Sequence, residues 1–151
     1  MKKIKALMFA FVLAGMTIVS CSSDDDGGPA ATIDGKWNQT KTVVVIGGQS
    51  ITQDYDENVT GCDKNYIEFA PSNVFNEVVY FKAAGSGDCQ TDMADPGTWS
   101  KNDQMLTINN SGFLAGTYEI TRLAGNNLEI STTDSAGGVT TKTTIFMTRA
   151  N

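Results

Sequence analysis

The side chains that carry out most protein chemistry are sparse in this sequence. It contains no histidine, so the commonest general base and metal ligand is missing. The G-x-S-x-G turn that presents a serine nucleophile does not occur. Paired carboxylates remain. Asp54-Tyr55-Asp56-Glu57-Asn58 is the densest acidic run beyond the N-terminal region. It could gather calcium, which takes oxygen ligands from flexible loops, or it could be a solvated strand end; the ligand order of an EF-hand loop is absent. Asp88, Asp92 and Asp95 cluster beside Cys89 and admit the same two readings. With no C-x-x-C and no histidine, a zinc site is not expected. No catalytic residue, metal or cofactor is expected, and an enzyme is the least favoured class. The remaining chemistry lies with three cysteines: Cys21, Cys62 and Cys89.

Cys21 ends a patterned N-terminal segment. Lys2, Lys3 and Lys5 precede an uncharged run over residues 6–19. That run is short of the roughly 20 apolar residues of a membrane span and suits the h-region of a signal peptide over residues 1–20. Ile18-Val19-Ser20-Cys21 resembles the lipobox of bacterial lipoproteins. The resemblance implies a diacylglyceryl group on the Cys21 thiol, cleavage just before it and acylation of the new amine. Two or more acyl chains anchor durably, since each buried methylene adds about 0.8 kcal/mol. Cys21-Ser22-Ser23-Asp24-Asp25-Asp26 resembles the export signal of surface lipoproteins in the Bacteroidetes, which implies outer-membrane anchoring and display at the cell surface; a periplasm-facing anchor is the alternative. The same acids also suit a solvated, self-repelling tether over residues 21–32.

Residues 1–20 hold three of the eleven basic residues and none of the seventeen acids, so cleavage leaves a formal charge of −9. Acids spread along the chain argue for solubility and against nucleic acid or an anionic membrane surface as partner. Residues 33–151 are one domain's worth of chain. In an oxidising compartment, two thiols in a small exported domain are expected to pair. A Cys62–Cys89 bridge is therefore expected, with two free thiols the alternative.

The elements that must position these residues are strands. Threonine, valine and isoleucine are plentiful, long helical periodicity is absent, and turn residues return every eight to twelve positions, the pattern of an all-β barrel or sandwich. Strands are expected over 36–46, 50–56, 65–70, 74–83, 98–101, 105–109, 116–123, 127–133 and 138–148. A loop is expected over 84–97, and turns at Gly47-Gly48 and Ser135-Ala136-Gly137. Eight or nine antiparallel strands in sequence order favour an up-and-down barrel over a sandwich, because each strand can pair with its neighbour and closure removes the edges.

Gly35-Lys36-Trp37, following Ile33-Asp34, resembles the G-x-W signature of lipocalins and of lipocalin-like domains in bacterial lipoproteins. Cys62, Cys89, Gly97-Thr98-Trp99, Tyr118-Glu119-Ile120, Leu128-Glu129-Ile130 and Met147-Thr148-Arg149 follow in an order similar to the latter. The resemblance implies a lipocalin-like barrel over 33–149, with Trp37 closing one end and Arg149 stacked on it. It also implies a small apolar ligand. The chain is shorter than a lipocalin and shows no C-terminal helix. Phe69, Phe75, Phe81, Phe113, Tyr118 and Phe146 could line a ligand cavity or fill a solid interior, since about eight strands leave room only for side chains or one small ligand. Two functions follow. One is a monomeric binding module for a small apolar molecule. The other is a solid barrel whose loops contact an envelope protein or glycan. Asp134-Ser135-Ala136 resembles a short glycan-acceptor motif of exported Bacteroidetes proteins.

Overall fold

β-Branched and aromatic residues punctuated by glycine and asparagine keep the chain extended almost throughout. A computed structural model describes residues 31–85 and 87–150. The signal segment, Cys21 and residues 22–30 of the tether lie outside the described residues. Ten strands form: β1 (Gly35–Ile46), β2 (Gln49–Asp54), β3 (Tyr66–Phe69), β4 (Val74–Lys82), β5 (Cys89–Met93), β6 (Gly97–Asn102), β7 (Met105–Asn109), β8 (Gly116–Ala124), β9 (Asn127–Ala136) and β10 (Val139–Arg149). No helix occurs among the described residues.

All ladders are antiparallel, and the sheet closes where β1 meets β10. Eight strands form the closed wall, in the order β1, β3, β4, β6, β7, β8, β9, β10. The other two lengthen it. Trp37 pairs with Arg149 on one side and Ile67 of β3 on the other, whereas Lys41 pairs with Phe146 on one side and Asp54 of β2 on the other. β2 and β3 therefore lie end to end along the same side of β1, and residues 55–65 loop out between them. Val78 pairs with both Tyr66 and Met93, so β5 lies along β4 on the side away from β3. That is the side β6 takes lower down, at Val74 and Phe75. The result is an up-and-down barrel, not a two-sheet sandwich.

Two local expectations are corrected. Residues 89–93 were expected within a loop and form β5. All five side chains are exposed, so no apolar alternation marks the strand, and its pairing comes from the edge that β4 offers. The last turn falls at Gly137-Gly138, both with positive φ (59° and 80°), and β9 runs through Ala136. A tight two-residue turn needs positive φ at both positions, and Ser135-Ala136 cannot supply it cheaply.

Residues that pair across a ladder share a face. Trp37, Phe69, Phe75, Leu106, Ile108, Leu128 and Ile130 are fully buried at one end of the barrel, joined by Trp99, Tyr118, Ile145 and Met147. The Phe69 ring sits 5.4 Å from both Phe75 and Trp99, nearly edge-on to the latter. Fully burying such a side chain contributes about 1.5–3 kcal/mol. At the other end β2 and β5 are wholly exposed, as are the tips of β9 and β10. The core thus fills one end and leaves the other open.

Candidate functional site

The closed end is built around Trp37. Its indole Nε1 donates to the Ile33 carbonyl at 2.7 Å, drawing buried Ile33 across the barrel base. The Arg149 guanidinium lies over the indole, Cζ 4.1 Å from the ring centroid, and donates to the carbonyls of Asp34 and Thr32. Arg122 pairs with Glu129 on the outer wall at 3.4 Å.

Above the core lies a cavity of about 350 Å3. Its lining comes from β1 and β2, the 55–57 turn, the start of β3, β4 and the β7–β8 loop. A bulge in β1 shapes one wall. Gln39 pairs with Met147 and Thr42 with Ile145, with an irregularity between Gln39 and Lys41. Met147 and Ile145 are both buried, so Gln39 and Thr42 both face the interior. Three residues apart, they would point to opposite faces of a regular strand. The Gln39 amide donates to Thr42 Oγ1 at 3.1 Å.

The β7–β8 loop forms the floor. Leu114 is buried in the core, while Phe113 stays 75% exposed at the cavity rim. A Cβ at Gly112 would collide with the Glu77 carboxylate, so glycine lets the loop lie against β4. Glu77 pairs with Ile67, which pairs with Trp37; the carboxylate therefore faces the interior. It accepts a long bond of 3.4 Å from Asn110 Nδ2. Burial pushes its carboxyl upward, opposed by the Asn110 bond and reinforced by nearby Glu57. Burial also pushes the Tyr55 phenol up, the Asn65 bond opposes this, and Glu57 and Glu77 add to it.

Sequence reasoning missed Asn65, which holds this wall together. It is buried. Its amide Nδ2 donates to Tyr55 Oη and to the Glu57 carbonyl, both at 3.1 Å. Its Oδ1 accepts from Tyr80 N at 2.7 Å, and its backbone N–H donates to Asn58 Oδ1 at 2.9 Å. The Asn38 amide donates to its carbonyl at 2.8 Å. One side chain thus satisfies the backbone where β2 and β3 part. Only the polar break between two extended runs signals it in sequence. The Cys62–Cys89 disulfide, Cα atoms 5.6 Å apart, pins the same 55–65 loop to β5, and Lys82 Nζ donates to the Thr60 carbonyl at 2.8 Å.

The aromatic residues considered as ligand-lining do not come together at this cavity. Phe69, Phe75 and Tyr118 are packed in the core. Phe81 lies on the inner face of β4 but is 38% exposed near the open end. Phe146 pairs with Lys41, whose Nζ lies 4.7 Å over its ring, on the outer face. Alternation along β10 is the reason for Phe146: Ile145 and Met147 on either side of it are buried, so the residue between them faces outward. Of the six aromatics considered as ligand-lining, Phe113 alone lines the cavity. Asp88, Asp92 and Asp95 stay exposed. Among the described residues, no group of three or more His, Cys, Asp or Glu is arranged to hold a metal. Asp134 and Ser135 sit exposed near the tip of the β9–β10 hairpin, Ser135 Oγ 3.2 Å from Thr140 Oγ1.

A closed eight-strand antiparallel barrel, packed at one end and hollow above it, is a class of β-barrel whose interior has room for side chains or one small ligand. The family model for the lipocalin-like domain matches residues 33–130, and the chain belongs to that family. The crystal structure of a dog lipocalin allergen is similar at 15% identity, covering 79% of this chain and 74% of that one, with a TM-score of 0.36. No curated protein sequence matches the chain.

Proposed function

We propose that this protein is a lipid-anchored binding module of a bacterial cell envelope. Cys21 carries the acyl chains, residues 22–32 form the tether, and the barrel takes up a small, largely apolar molecule. Display at the cell surface follows from the Ser-Ser-Asp-Asp-Asp run after Cys21. The observation that carries the binding role is the 350 Å3 cavity set above a packed core, at the lower end of the size range of ligand sites, roughly 300–1,000 Å3. The same cavity weighs against the solid-barrel reading. Part of its lining is apolar: Ile67, Val78, Val79, Phe113 and Leu114. No histidine is available to act as a base beside a nucleophile, so the role is to hold a molecule without transforming it. Octan-1-ol titrated into the full chain is expected to shift the backbone amide resonances of Val79 and Leu114. Shifts absent at every cavity residue would remove this reading.

A further inference from the structure

A barrel interior that only fills itself has no use for a carboxylate at a core-facing position. Glu77 occupies one, in the same cross-strand row as Trp37 and Ile67. Removing a charge from water is costly unless something pairs with it. Its protein partner is one long bond from a neutral amide.

The cations are all engaged or placed elsewhere. Lys36, Lys64 and Arg149 line a separate cleft. Lys41 stacks on Phe146, Lys82 holds the Thr60 carbonyl, and Arg122 pairs with Glu129. Lys101 and Lys142 are exposed. Among the described residues, no lysine or arginine lines the cavity, whereas Asp54, Asp56, Glu57 and Glu77 do.

The polar groups also converge. Tyr55 already accepts from Asn65, and both Glu57 and Glu77 act electrostatically on it. A concave, partly dry site bearing one sign of charge concentrates its field. An ammonium offers only donors and a positive charge, matching carboxylates that only accept. The same cavity is lined by Val79, Leu114 and the exposed Phe113 ring, suited to an alkyl or aryl body and to contact with a cation.

We infer that the cavity selects an amphiphilic organic cation, an alkyl- or arylammonium whose nitrogen sits between Glu77, Glu57 and the Tyr55 hydroxyl. The inference rests on the proposed binding role. The cavity and the family make the site, and the carboxylates decide only the charge of what enters. A carboxylate ligand of the same length is repelled.

The test uses three probes of equal length near neutral pH: octylamine, octan-1-ol and octanoate. Binding is read at cavity amides and by displacement of octan-1-ol, so that attraction to the acidic surface does not count. Octylamine is expected to bind at least about tenfold tighter than octanoate, with octan-1-ol between. Glu77→Gln is expected to remove most of the advantage of the amine over the alcohol; Glu57→Gln gives a smaller loss in the same direction. Octanoate binding as tightly as octylamine overturns the inference, as does an amine advantage that survives both substitutions. If octan-1-ol binds without any charge preference, this inference alone fails. If none of the three reaches the cavity, the binding role fails with it. Should Glu77→Gln not fold, the octylamine-to-octanoate ratio of the unaltered chain and the Glu57→Gln variant still decide.

Discussion

Arg149 lies over Trp37 with its Cζ 4.1 Å from the ring centroid, and the same two residues face each other in the ladder that closes the barrel. The stack joins the first strand to the last at the base. The guanidinium also holds the carbonyls of Asp34 and Thr32 just before β1. Arg149→Ala is expected to cost about 2.5–4 kcal/mol, from a stacked cation worth about 0.5–2 and two hydrogen bonds, one of them exposed, worth about 1 each. Arg149→Lys should recover less than half, because an ammonium cannot stack flat and fork to two carbonyls. Denaturant unfolding of both variants checks this; a lysine variant as stable as the parent would show that charge alone matters there.

The disulfide ties the loop that interrupts β2 and β3 to the far end of β4 and β5. Its sequence separation is 27, for which chain entropy gives about 3.5 kcal/mol. The Cys62→Ser, Cys89→Ser double variant is expected to lose roughly that much in denaturant unfolding. Amide exchange should rise in 55–65 and β5 before it rises in the core strands.

Asn65 is the hinge of the cavity wall. Asn65→Ala strands the Tyr80 N–H and frees Tyr55, with an expected loss of about 2–3 kcal/mol. Asn65→Asp keeps an acceptor for Tyr80 but sets a new negative charge against Tyr55 and the Glu57 carbonyl. It should therefore be no more stable than the alanine variant at neutral pH. Thermal unfolding of both tests this.

Glu77 ties stability to pH. Burial raises its carboxyl in the folded chain, so between the ordinary carboxylate value and the raised one the fold holds a proton that the unfolded chain has released. Stability contributed by the protonated form is present below the ordinary carboxylate value and falls as pH rises through the raised one. The groups facing it are Glu57, Tyr55 and Asn110, none of them a cation. Glu77→Gln should therefore gain melting temperature relative to the parent as pH moves from about 4 to about 7.5. A gap that stays constant or narrows over that range contradicts the assignment.

Cys21→Ala is expected to release the chain from the membrane fraction and to abolish incorporation of labelled fatty acid, with the barrel's thermal unfolding unchanged. Membrane retention in the variant contradicts the acyl anchor.

The barrel was legible because period-2 alternation and turn residues are local signals. Trp37 and Ile67 read as interior positions without any coordinates, and Gly47-Gly48 reads as a tight turn. Cys89–Met93 reads as a loop because a strand exposed on both faces has no alternation to detect. The aromatic set misled for a different reason. A phenylalanine reports only that it prefers to leave water, and the core, the rim and the outer wall under a lysine can all accommodate it.

From its order of residues alone, this chain was committed to extended strands, to Trp37 and Arg149 at opposite ends of the domain and to two cysteines available to pair. Each of those depends on near neighbours or on residue type. The cavity was decided only by the closed barrel. A single bulge near Thr40 turns Gln39 and Thr42 inward together, Asn65 gathers partners from three segments, and the β7–β8 loop brings Asn110 to Glu77. Those relationships depend on ladder register between distant segments, and register is set by the energy of the whole closed sheet rather than by any one stretch of it.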